Sequence, residues 1–199
     1  MTFQTTAPMR RLNLSASNRS AGEVVHTHLQ GGWLDMNPPY QRGEVWTNAQ
    51  AIGLIRSLAI GLPIPALVLN DRNTPAWRDA NGALPGRDEP TYGVVDGKQR
   101  ITTLNRWYTS DLAVPASWFP SEDAVTTTDT TDGPYVTYDG LTAPCQRDMR
   151  FNWTIPMVES KVGTIAEEAD IYLLLNGAGT PQSDEDLLRA FTHSTEGEM

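Results

Sequence analysis

The chain has 199 residues, 39% of them apolar and 20% charged, which suits one globular domain and is too apolar for a disordered chain. A single Cys excludes an internal disulfide or a Cys-based zinc cluster. The formal net charge of -9 argues against sequence-independent coating of nucleic acid, which needs many phosphate-pairing Lys and Arg.

No apolar run reaches the ~18 residues of a membrane span, and no signal-peptide apolar segment is present, so the cytoplasm is the expected compartment. Residues 1–20 read as a polar, flexible arm whose Arg10, Arg11 and Arg19 could touch a partner. Residues 21–34 have helical spacing in Val24, Val25, His28 and Leu29, stopped by Gly31 and Gly32. Pro38 and Pro39 then force an extended loop through Arg42. Thr47 caps a helix whose apolar stripe is Ala51, Ile52, Ile55, Leu58 and Ala59, ended by Gly61 and Pro63. Ala66 to Leu69 is a short buried strand, and residues 70–90 are a surface insertion. A second strand over Tyr92 to Val95 ends at Asp96-Gly97, and a helix runs from Lys98 to about Ser110 with Ile101, Leu104, Trp107 and Tyr108 on one face.

Residues 111–148 read as a second insertion, mostly loop, with hairpin strands near Tyr135 to Tyr138. Alternation predicts a strand over residues 149–158, and helices follow over 164–175 and 183–192, with a polar tail at 193–199. This order specifies a single α+β domain over residues 21–192, with helices packed on a small mixed sheet.

Chemistry concentrates in three places. The first is Asp96-Gly97-Lys98-Gln99-Arg100, where a buried strand passes through a glycine turn into a helix. A helix N-terminus has unpaired N–H groups and a positive dipole end, so it favours an anion, and Lys98 and Arg100 add two cations there. Asp96 could hold a metal ion, orient a water or bond a ribose hydroxyl. The alternative is that Asp96 caps the helix and the cations lie on its solvated side. The second place is Tyr40-Gln41-Arg42 with Trp46: an aromatic ring could stack on a base and Arg42 pair with phosphate. Alternatively Tyr40 and Trp46 plug the core while Arg42 pairs with Glu44. The third is Asn176 to Thr180, a glycine-rich connection that is mostly punctuation, although Asn176 could donate to a ligand. His26 and His28 diverge on their helix and make a poor metal pair. Cys145 beside Arg147 could have a lowered pKa, but it has no His neighbour in sequence and reads as an inert thiol.

Together these segments resemble the N-terminal domain of GmrSD-type restriction enzymes, within the ParB/sulfiredoxin-like superfamily. The pattern is Pro39-Tyr40-Gln41-Arg42 with Trp46, then Gly61-Leu62-Pro63-Ile64-Pro65. It continues with Asp96-Gly97-Lys98-Gln99-Arg100 followed by Ile101-Thr102-Thr103-Leu104, and ends with Asn176-Gly177-Ala178-Gly179-Thr180. Two positions depart from it: Lys98 stands where the family has Gln, and Ala178 replaces a glycine.

The resemblance implies a ParB-like fold that binds or hydrolyses nucleoside triphosphates. Asp96 and Gln99 would be catalytic, and Asp96 would bind Mg2+. Tyr40, Gln41, Arg42, Gly97, Lys98, Arg100, Thr103 and Asn176 would hold the nucleotide. It also implies a role in restriction and phage defence, or its counteraction, in which DNA takes part only indirectly. The HNH-type nuclease of larger members does not appear in the about seven residues after the last predicted helix, so that module is either absent or supplied by a partner, a nuclease or host factor, and an oligomer is possible.

Two other classes remain open. One is a non-enzymatic regulator: residues 111–199 carry 4 basic and 16 acidic residues, against 11 and 8 in residues 1–110, and could present an acidic face to a partner. The other is a DNA nuclease or DNA-modifying enzyme.

Overall fold

The computed structural model describes Pro8 and residues 11–41, 43 and 46–177. Its centre is strand β4 (Tyr92–Asp96), whose residues from Gly93 to Val95 are all buried. Successive strand side chains point to opposite faces. Val94 joins the main core with Ile101, Leu104 and Trp107, whereas Val95 joins a second cluster with Tyr40, Ala169 and Tyr172. A sheet covered on both faces explains why β4 reads as an unbroken apolar run rather than an alternation.

Five strands form this sheet in the order β1-β8-β3-β4-β2. They are β1 (Ser15–Ser20), β2 (Leu34–Asp35), β3 (Leu67–Asp71), β4 and β8 (Thr154–Ser160). β8 runs antiparallel to β1 and parallel to β3, while β4 is antiparallel to β3 and parallel to β2, so the sheet is mixed. One face is covered by α1 (Asn48–Ala59), α3 (Lys98–Tyr108) and a π-helix (Glu23–Leu29), and the other by α5 (Ile165–Gly177). The α+β fold read from the sequence is the one observed.

Several boundaries differ from the expected ones. The arm over residues 1–20 contributes β1, which pairs along its whole length with β8. Its sequence is polar because an edge strand takes its stability from backbone pairing. The helix expected over 21–34 is a π-helix, closed by bonds such as Gln30 N–H to Val25 O at 2.9 Å, and the chain then turns to form β2. The insertion at 70–90 contains α2 (Pro75–Asn81), capped by Thr74 and stopped by Gly82 at φ +79°. None of its residues is buried, so it shows no apolar stripe.

The insertion at 111–148 is also ordered. A three-stranded antiparallel sheet, β5 (Val114–Pro115), β7 (Gly133–Val136) and β6 (Thr127–Thr130), precedes α4 (Ala143–Asn152). Residues 149–152, expected as the start of a strand, are the last turn of α4; Met149 is buried but Phe151 is exposed, and β8 begins only at Thr154. Among the described residues no helix is long and apolar enough to cross a membrane. The helix expected over 183–192 lies outside the described residues.

Candidate functional site

The turn between β4 and α3 depends on one glycine. Gly97 has φ +106°, and a Cβ on it would collide with Leu67 Cδ2, so no other residue fits there without strain. Gly97 is also the N-cap of α3 and offers no side-chain acceptor, and the first turn of α3 contains no acidic residue. The helix therefore starts with an uncapped, electropositive end.

Four side chains surround that end. Arg100 Nη2 donates to Asp96 Oδ2 at 2.8 Å and to the carbonyl of Ala66 at 3.1 Å, while its Nε, beside Gly97, is buried without a hydrogen-bond partner. Lys98 Nζ donates to Asn37 Oδ1 at 2.8 Å. Gln99 Nε2 donates to the carbonyl of Gly43 at 3.0 Å, and its Oε1 accepts from the Trp46 N–H at 3.4 Å. Lys98 and Gln99 thus tie Asn37, Gly43 and Trp46 of the preceding loop across the first turn of α3.

A second set of bonds ties the same loop to the sheet. Gln41 Nε2 donates to the carbonyls of Val94 and Val95 at 2.8 and 2.7 Å. Tyr40 is only 1% exposed, and its hydroxyl donates to Glu168 Oε2 at 2.9 Å. A ring at this burial offers no face to a base; Tyr40 plugs the core, the alternative the sequence left open. Trp46 packs partly buried against the main core.

The turn and the loop, distant in sequence, therefore meet in the fold. Other residues assigned to the site lie elsewhere. Thr103 is buried on α3, more than a helical turn beyond Lys98. Asn176 donates to the carbonyl of Tyr172 within α5. Arg42 lies outside the described residues, as do positions 178–180 of the last motif. The Cys145 thiol is pushed up by burial, then by Asp123 and Asp148, opposite to the lowering expected from Arg147.

Sequence reasoning missed the buried network beneath the loop. Glu168, fully buried, accepts from Arg72 Nε and Nη2 at 2.8 and 2.7 Å, from Asn70 Nδ2 at 2.9 Å and from Tyr40. Arg72 Nη1 also donates to Asp35 Oδ2 at 2.9 Å. Burial works to lower the Arg72 pKa, but its bonds to Glu168 and Asp35 and their charges raise it overall. Burial, then the Glu168 charge, holds Tyr40 well above the usual tyrosine range. Gly93 leaves room for the pair, since a Cβ there would lie 2.7 Å from Arg72 and 2.8 Å from Glu168. The available signal was Glu168 itself, an acid on the same face of its helix as Ala169 and Tyr172, where a buried charge requires a partner.

Among the described residues no three His, Cys, Asp or Glu side chains come together as a metal-ligand set. Mg2+ is commonly held by one or two carboxylates together with substrate phosphates, so the single carboxylate of Asp96 suits a nucleotide-borne ion rather than a resident one.

Comparison with curated proteins and with solved structures returned no match. The family described as GmrSD restriction endonuclease, N-terminal domain, matches residues 22–193. That span takes in β4, the glycine turn, α3 and the loop tied over it, and the chain belongs to this family.

Proposed function

We propose that this domain binds the phosphates of a nucleoside triphosphate at the Asp96–Arg100 turn, in a restriction system. The observation that carries the reading is the uncapped N-terminus of α3, flanked by Lys98 and by the orphaned Nε of Arg100. Backbone N–H groups of the first turn would donate to phosphate oxygens, and Lys98 would exchange Asn37 for one of them. Asp96, oriented by Arg100, would align a water or meet the Mg2+ that a triphosphate brings, an ion that would neutralise phosphate charge when bound. Both ends of the Gln99 amide hold the loop, so orienting a water would require releasing Gly43 or Trp46. Binding is accordingly the primary claim and hydrolysis the secondary one.

The test is thermal unfolding with ATP, GTP, CTP and UTP, with and without Mg2+. A ligand of the folded state raises the melting temperature by mass action. Lys98→Ala should weaken binding by about 1–3 kcal/mol, and Asp96→Ala should remove phosphate release where wild type shows it. No melting shift with any of the four nucleotides would overturn the reading.

A second reading is a non-enzymatic regulator. It is favoured by the internal partners that Gln41, Lys98, Gln99 and Arg100 already have, as a purely structural turn would require. It predicts a stable protein partner and no nucleotide turnover.

A further inference from the structure

A second cleft opens at the other end of β4. Tyr92 begins that strand and Asp96 ends it, so the two places are about 13 Å apart along the sheet. The cleft is about 520 Å³, and its lining includes Trp33, Tyr92, Asp71, Arg87, Asp88 and Glu89. Three carboxylates against one guanidinium leave it net negative.

Its walls are held rigidly. The Trp33 N–H donates to the carbonyl of His28, and the Trp33 carbonyl accepts from the Tyr92 N–H, so both aromatic residues are fixed by backbone bonds. The Trp33 ring meets the buried His28 edge-on at 5.6 Å and is nevertheless 48% exposed. Asp71 accepts from the Asn73 N–H and Glu89 from the Gly86 N–H, which orients both carboxylates. Burial raises the Tyr92 hydroxyl above its ordinary value, and the Asp71 and Glu159 charges add to the rise, as expected of a negative local potential.

A half-exposed indole lining the same cleft as three carboxylates can attract a cation twice, through the ring quadrupole and through charge. An acidic surface alone would collect any cation, but a half-exposed tryptophan favours one with a poorly hydrated organic body. We infer that this cleft binds an organic cation, an alkylammonium or a guanidinium, supplied either as a free diamine or by a Lys or Arg side chain of a partner protein. This site is independent of the phosphate-binding turn.

The experiment follows the Trp33 indole Nε1–H resonance, assigned by its loss in Trp33→Phe among the six tryptophans. The probes are 1,4-butanediamine, a capped Gly-Arg-Gly peptide, the neutral 1,4-butanediol and Mg2+. The expected result is a saturable shift with the diamine, the peptide or both, and none with the diol; which cation binds more tightly identifies the source. Calorimetry should show at least a tenfold loss of affinity in Trp33→Ala and in Asp88→Asn/Glu89→Gln. These side chains lie at or near the surface, and an unchanged melting temperature would confirm that the variants fold. Equal shifts with diamine and diol, undiminished affinity in Trp33→Ala, or displacement of the diamine by equimolar Mg2+ would each overturn the inference. So would the absence of a saturable shift with either cation at millimolar concentration.

Discussion

Gly93 and Gly97 lie four residues apart in one short segment and serve different needs. Gly97 is required by its positive φ and by Leu67, Gly93 by the proximity of Arg72 and Glu168. Gly97→Ala should cost about 1–3 kcal/mol in backbone strain and should also displace the start of α3, weakening the proposed nucleotide binding. Glu168→Gln removes the charge that faces Arg72 in a fully buried setting. Loss of one partner of such a pair typically costs about 3–5 kcal/mol. The lower end is expected here, because Asp35 still faces Arg72 and a glutamine oxygen can still accept from Tyr40. Urea denaturation measures both variants. A loss below 1 kcal/mol in Glu168→Gln would mean that the network contributes no more than a surface ion pair.

At the scale of elements, α1 illustrates what a sequence conveys directly. Thr47 Oγ1 accepts from the Gln50 N–H, and the Gln50 side chain accepts from the Thr47 N–H, a reciprocal cap at the head of an apolar stripe. Thr47→Ala should lower stability by about 0.5–2 kcal/mol. It should also loosen the loop ahead of the helix, read as faster amide exchange at Trp46. Elements with buried stripes or runs, α1, α3, β3 and β4, were legible because burial writes its period into the sequence. The polar strands β1 and β6 and the exposed helix α2 were not, since backbone pairing and capping stabilise them without an apolar signature. α4 was misread because Met149 and Phe151 alternate with polar neighbours as strand residues would. The site followed the same division. The glycine turn and its cations were readable from local sequence, whereas the fate of Tyr40 depended on Glu168, far away in sequence on α5.

For the whole molecule, net charge by halves does not describe two surfaces. β8, from the acidic second half, lies between β1 and β3 of the first, and one acid of that half, Glu168, is buried against Arg72. Stability at high pH is a whole-molecule property with a definite sign. Tyr40 and Tyr108 are both held well above the ordinary tyrosine value of 10.0, first by burial and then by the negative charge of Glu168 for Tyr40 and by Tyr138 for Tyr108. Above pH 10 the unfolded chain releases these two protons while the folded chain retains them. The folded state then binds more protons, so unfolding free energy falls as pH rises. Each tyrosine contributes a slope of about 1.4 kcal/mol per pH unit above that point, and neither contributes below it. Tyr108→Phe separates this effect from general alkaline damage. It loses the hydroxyl bond to the Met149 carbonyl, about 1 kcal/mol at neutral pH, but removes one titrating group. Urea unfolding between pH 8 and 11.5 should therefore show the variant less stable at pH 8, converging on wild type above pH 10 and overtaking it by about pH 11. Parallel curves would place the alkaline sensitivity in other groups and return Tyr108 to a packing role alone.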